Sequence, residues 1–174
     1  LTEDLDTANA DLGFINIHYY PAGATLYGTQ AMGGYEYDGN MYDGKFRHVE
    51  VIDTCVGCHN QHSLEVRLEV CQEFHEGADS LEALKETRML GSLADYNGNG
   101  DVTEGINAEL EGLQAMLYQA LQGYANEVSG TPLAYSPAAY PYFFIDGNGD
   151  GEVGDDEANR DNAYNAWTGR LLKA

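Results

Sequence analysis

The chain is 174 residues long, 43% hydrophobic, and carries 8 basic against 29 acidic residues for a formal net charge of −21. That length suffices for one compact domain or two small lobes with a real apolar core. The charge argues against nucleic-acid and anionic-membrane partners, which need a basic patch, and no apolar run approaches the ~20 residues of a membrane span.

Residues 2–20 read as a helix, because Leu5, Ala8, Leu12, Ile15 and Tyr19 recur at three- and four-residue steps. Thr2 stands at its start and Pro21 at its end. His18 falls in the last turn, as a packed core histidine or, in a haem protein, an axial ligand. Residues 21–50 concentrate Gly23, Gly28, Gly33, Gly34, Gly39 and Gly44 among Tyr27, Tyr35, Tyr37 and Tyr42. Helix is disfavoured there, and an irregular loop that wraps something is expected. His48 closes this loop, seven residues before Cys55, as a distal ligand or an exposed loop histidine.

Cys55-Val-Gly-Cys58-His59 is the attachment signature of a c-type haem. Two thiols add across the two porphyrin vinyl groups, and the adjacent imidazole ligates iron from one face. Residues 63–76 return to helical spacing, with Leu64, Leu68, Cys71 and His75 on one stripe. Cys71-Gln-Glu-Phe74-His75 therefore reads as a second haem site held by one thioether, with Phe74 where the second cysteine would stand. His59 and His75 are the proximal ligands. His18 and His48 are the suppliers of the opposite faces, with His62 in reserve and Met32, Met41 and Met89 as the thioether alternative. A zinc site of the Cys55, Cys58, Cys71, His75 type is the competing use of the same residues, and a buried helical Cys71 and His75 would leave one haem.

A short helix is predicted over 79–90, with Ser80 near its start and Gly91 near its end. Asp95, Asn97, Asn99, Gly100, Asp101 and Val102 then follow a calcium-loop register whose twelfth position is Ile106. Glu104 is the acid available to close that loop. A longer helix is predicted over 104–126, with Ile106, Leu110, Leu113, Leu117, Leu121 and Tyr124 as its apolar stripe. Pro132, Pro137 and Pro141 mark a connecting segment over 129–141, and Tyr142-Phe143-Phe144-Ile145 is apolar enough to be buried. Asp146, Asn148, Asp150, Gly151, Glu152 and Glu157 match the EF-hand loop through its bidentate twelfth position. A last helix is predicted over 155–172, anchored by Trp167, Leu171 and Leu172. The fold class expected is mainly α with extensive irregular loops. Residues 1–77 form a haem-organised lobe and 78–174 a helical lobe with two EF-hand-like structural calcium loops.

His18-Tyr19-Tyr20-Pro21-Ala22-Gly23-Ala24, Gly34-Tyr35-Glu36-Tyr37, Phe46-x-His48-Val49, Asp53-Thr54-Cys55-x-x-Cys58-His59 and the further Cys71-x-x-x-His75 together resemble part of the bacterial and archaeal multihaem c-type cytochromes. The resemblance is strongest over 14–76. It implies a secreted electron carrier with His18 and His48 as distal ligands, redox proteins or extracellular acceptors as partners, and, in some relatives, polymerisation into filaments. Phe74 and the small number of haem motifs depart from the pattern. The expected function is electron transfer by an extracellular or periplasmic dihaem cytochrome whose leader has been removed, with calcium as a second cofactor. The alternatives are a calcium-dependent adhesive module with a vestigial haem site and, last, a haem reductase, for which no acid–base pair is visible.

Overall fold

The computed structural model describes residues 4–17, 19–31, 36–45, 47–49 and 52–174. His18, Met32 and Phe46 lie outside the described residues, as do the Gly33-Gly34-Tyr35 run and Thr2. The chain forms two units, one joining Leu1–Ile17 to Met116–Ala174 and the other comprising His18–Ala115. This division differs from one at 77/78. The first acidic loop falls in the same unit as the cysteines, and the boundary lies inside the long helix Ile106–Tyr124.

The first unit is built on a hairpin that the sequence reading missed. Strands β1 (Leu133–Tyr135) and β2 (Phe143–Ile145) pair antiparallel, with Ala134 opposite Phe144. Tyr164 N donates to Phe143 O at 3.0 Å, so the chain after the second acidic loop runs beside β2 instead of forming the helix expected over 155–172. Asn159 is one reason: its side chain accepts from the amides of Asp161 and Asn162 and starts a single 3-10 turn, Arg160–Asn162. Only Gly169–Lys173 is helical, capped by the buried Thr168, whose Oγ1 accepts from Leu171 N at 3.0 Å. Trp167 and Leu171 are the anchors anticipated, buried with Ala125, Leu133 and Tyr164 in one core.

The helix expected over 2–20 is not found at the described residues 4–17, and helix begins only at Tyr19. Among the described residues, 4–17 form turns and extended chain laid along the first unit's core. Asp4 accepts from Asp6 N and Asn9 from Asp11 N, both at 2.9 Å, side-chain turns that compete with helix. Leu12 packs on the core and Phe14 stacks on Trp167 with ring centroids 6.1 Å apart, whereas Ile15 and Ile17 are exposed. Arg170 Nε and Nη2 donate to the Asp6 carboxylate at 2.6 and 2.9 Å, and Tyr124 OH donates at 2.7 Å. Arg170 first, then Tyr124, pulls the Asp6 carboxyl down from the usual 3.8 to about 2. A carboxylate depressed on folding stabilises the fold above its unfolded pKa, and that contribution is lost as pH falls from 3.8 toward about 2. Arg170→Ala is expected to let pepsin cut segment 4–14 already near pH 3.8, where the parent stays resistant until closer to pH 2. Identical cleavage profiles would refute the tether.

In the second unit the first helix is α1, Tyr19–Tyr27, so Pro21 opens a helix rather than ending one. Proline suits the first turn, where its missing N–H has no intrahelical acceptor to lose. The glycine-rich stretch is therefore helical through Tyr27. It turns at Gly28 (φ +48°), where a Cβ would run into the carbonyls of Asp43 and Gly44. Helices α2 (Cys55–Cys58), α3 (Leu68–Cys71) and α4 (Leu81–Lys85) are one turn each, shorter than the helices expected over 63–76 and 79–90. Ser80 caps α4 as read, accepting from Ala83 N at 3.1 Å. Helix α5 is Ile106–Tyr124, but only two of the six residues of its stripe are used. Leu121 and Tyr124 pack on the first unit's core, while Ile106, Leu110, Leu113 and Leu117 are exposed.

Candidate functional site

The two units differ in how they are filled. Among the described residues, Ala78 is the one buried apolar residue of His18–Ala115, whereas the other unit buries Phe144, Leu133, Trp167 and five more. The second unit instead has apolar residues facing open space, among them Leu64, Phe74, Met89 and Leu90. Isolated exposed apolar residues are ordinary, but several around one cavity mark a binding surface.

The first cavity, about 620 Å³, is lined by Cys55, Cys58 and His59 together with Leu26, Ile52 and Leu64. Its size lies within the ~300–1,000 Å³ of ligand cavities. The geometry follows from one short turn. Thr54 enters extended, α2 carries Cys55 and Cys58, and His59 leaves extended, with its amide donating to Cys55 O at 2.8 Å. Arg67 N donates to Cys58 O at 2.8 Å and ties the motif to the start of α3. His59 Nδ1 lies 2.9 Å from Leu64 O. A carbonyl only accepts, so Nδ1 carries the proton and Nε2 keeps the lone pair a metal needs. The motif's donor set fits a covalently held haem.

The second cavity, about 700 Å³, has His48 and Val49 on one wall and Phe74, His75, Met89 and Leu90 on others. His48 and His75 face each other, with Nε2 atoms 3.5 Å apart and ring planes tilted by 46°. At that distance the two Nε2 atoms are within hydrogen-bonding reach of each other, and both residues line the same cavity. Cys71 sits one turn before His75, whose amide donates to Cys71 O at 2.8 Å. Burial, with the nearby Cys58 adding, pushes the Cys71 thiol up. Phe74, in the place of a second cysteine, is half exposed on the cavity wall, where an aromatic ring could pack against a flat ligand. His48 also borders the first cavity. His62 lies in the turn beyond His59, its amide donating to Asn60 Oδ1 at 2.9 Å, and lines a separate cleft with Arg67. His18 lies outside the described residues. All three cysteines are free thiols. Among the described residues no group of three or more His, Cys, Asp or Glu side chains gathers as a metal cluster, so the zinc set is not assembled.

The acidic loops likewise form no such cluster among the described residues; their oxygens are arranged by backbone hydrogen bonds. In the loop 146–157, Asp146 accepts from Gly149 N at 2.7 Å and Gly151 N at 2.8 Å, Asn148 accepts from Asp150 N, and Asp150 from Glu152 N. Glu157 accepts from Gly147 N at 2.7 Å and Gly154 N at 3.0 Å and is buried with Asp146. Each carboxylate oxygen so used retains a lone pair. The loop 95–106 repeats the pattern through Asp95, Asn97, Asn99 and Asp101. Glu104 lies over it, accepting from the side-chain amides of Asn97 and Asn99 at 2.7 and 2.9 Å. The residue not anticipated is Glu109, 1% exposed, whose Oε2 accepts from Tyr96 N and Asn97 N at 2.8 and 2.9 Å. It does for this loop what Glu157 does for the other, from one helical turn beyond the twelfth position, and its Oε1 is held by Arg88 at 2.7 Å. The signal in the sequence was an acid set beside Leu110 in the stripe, one turn after Ile106.

No family model matches the chain, and no solved structure matches it. Among the described residues, no helix is long and apolar enough to cross a membrane. The chain is 30% identical over 176 residues to the C-type polyheme cytochrome OmcC of Geobacter sulfurreducens. The match covers 93% of this chain and 21% of that protein, so the chain spans about a fifth of the relative's length. Over nearly all its residues, then, the chain is similar to one stretch of a polyhaem c-type cytochrome.

Proposed function

We propose that this chain is a dihaem electron-transfer segment. The observation that carries the reading is the second unit's construction: among its described residues a single buried apolar side chain, and two cavities that hold the Cys55, Cys58, His59 set and the facing His48 and His75 pair. Haem, when bound, supplies a one-electron iron couple and the flat apolar surface the unit lacks. Cys55 and Cys58 would hold the first macrocycle through thioethers, with His59 on iron and His18 as the opposite ligand. Cys71 would hold the second through one thioether, with His75 and His48 on its two faces. Histidine on both faces leaves no open position for substrate, which favours a carrier over a catalyst. Haem is attached to this motif outside the cytoplasm, so an extracytoplasmic location follows from the same reading. Assembly of copies into a filament is the finer possibility that the family resemblance brings. Calcium at 146–157 would complete a structural clamp in the other unit.

The test is the mass of the natively matured chain with its reduced spectrum. Two added haems are expected, one of them lost in Cys71→Ser. A chain carrying one haem whose mass is indifferent to Cys71→Ser would reduce the protein to a monohaem cytochrome. A chain with no haem bands would end the electron-transfer reading and leave the calcium-dependent module.

A further inference from the structure

The turn from Asn60 to Glu65 has a strained residue at its end. Leu64 adopts φ +61°, a left-handed conformation that glycine and asparagine take readily and leucine does not. Its side chain is 71% exposed, so packing within the chain does not compensate. What the conformation accomplishes is on the backbone, where Leu64 O stands 2.9 Å from His59 Nδ1. The turn is braced to hold it there. Asn60 Oδ1 accepts from His62 N at 2.9 Å and Ser63 N at 3.2 Å. Leu64 N donates to Asn60 O at 3.0 Å, and Asn60 N donates to Glu65 O at 2.9 Å. Strain at one residue persists where the surroundings over-determine it, and an observed outlier of this kind points to a task.

We infer that Asn60 and Leu64 are positioning residues for His59. The turn they build fixes the imidazole as the Nδ1–H tautomer and restricts rotation of the ring. A carbonyl accepting from Nδ1–H makes the ring a stronger donor through Nε2. A stronger donor favours the oxidised iron, so the turn lowers the potential of the haem at Cys55 and Cys58. The inference rests on the haem reading above.

The experiment compares matured Asn60→Ala with Asn60→Asp, which keeps the side-chain acceptor, and with Leu64→Gly, which keeps the left-handed backbone. Leu64→Val, whose β-branch resists that backbone, disturbs the carbonyl by a second route. Each sample is weighed for attached haem, titrated by spectroelectrochemistry, and followed by proton NMR of its reduced form. In Asn60→Ala and Leu64→Val one couple is expected to rise until its oxidised-to-reduced ratio at fixed potential changes about tenfold, or about 59 mV for one electron. The other couple stays in place, and the His59 Nδ1 proton exchanges at least about tenfold faster, its hydrogen bond having been the protection. Asn60→Asp and Leu64→Gly should match the parent in both measurements. Haem attached with couples and exchange unchanged in both disruptive variants overturns the positioning role. A chain with no haem attached overturns the haem reading first.

Discussion

Glu109→Ala is expected to lower the unfolding midpoint by roughly ten degrees or more, the loss typical of breaking a buried ion pair on one side. The carboxylate is 1% exposed and accepts from three donors: Arg88 Nη1 at 2.7 Å, Tyr96 N at 2.8 Å and Asn97 N at 2.9 Å. Alanine leaves two amides and a guanidinium without their acceptor in a place water reaches poorly, and such groups are costly to leave unmade. Arg88 would keep only carbonyl partners, at Ser92, Ala94 and Glu104, and its charge would lose its counterion. Glu109→Gln retains one acceptor and should lose less. Arg88→Met combined with Glu109→Gln should lose less than the sum of the two changes, because each single variant strands the other partner.

The same pair has a pH signature. Burial alone would raise the Glu109 carboxyl, but Arg88 and the amides of Asn97 and Tyr96 outweigh it and hold it below the usual 4.5. Its contribution is therefore present above pH 4.5 and lost as pH falls through the depressed value. Thermal melts followed by circular dichroism at neutral and acid pH check both parts. A Glu109→Ala midpoint within a couple of degrees of the parent would show that the pair is replaceable. Calcium should raise the midpoint of the parent in the same instrument, and raise it less in Glu157→Gln, which loses the charged twelfth-position ligand of the loop at 146–157.

What could be read before folding was chemistry that acts within a few residues. The Ser80 cap stands as it was read, and the turns at Cys55–His59, Asp95 and Asp146 are likewise made by atoms close along the chain. The N-terminal segment was misread because Leu5, Ala8 and Leu12 mimic a helical stripe. The decision lay with Asp4 and Asn9, whose side chains take local amides, and with the distant Trp167 carbonyl, which accepts from Asn9 N at 2.9 Å. The hairpin was missed because its strands are three residues long, too short for alternation to register against Pro137 and Pro141. Glu109 was missed because its partner, Arg88, is 21 residues away in sequence. The apolar stripe of α5 misled in the opposite direction. Four of its six residues are exposed, and the residue that is buried between them is the charged one.

If the chain carries the two haems proposed, His48→Ala is expected to open one of them. His48 and His75 are the histidines of the second cavity, with Nε2 atoms 3.5 Å apart, and in the dihaem proposal they are the two protein ligands of one iron. In that proposal, removing His48 would leave His75 as the single protein ligand. The reduced variant should then bind carbon monoxide at one haem, which the parent should not, and that couple should rise as the ligand field weakens. Added imidazole, which has the size of the ring removed, should reverse both changes. His48 also borders the cavity of Cys55, Cys58 and His59, so the identity of the opened haem has to be established. Cys71→Ser with His75→Ala supplies the background, because only the first haem remains there. His48→Ala in that background should bind no carbon monoxide beyond its control. Binding there would assign His48 to the first iron and leave the second haem with His75 alone. The chain would then be a carrier with one open site, closer to a reductase than the 3.5 Å pair suggests.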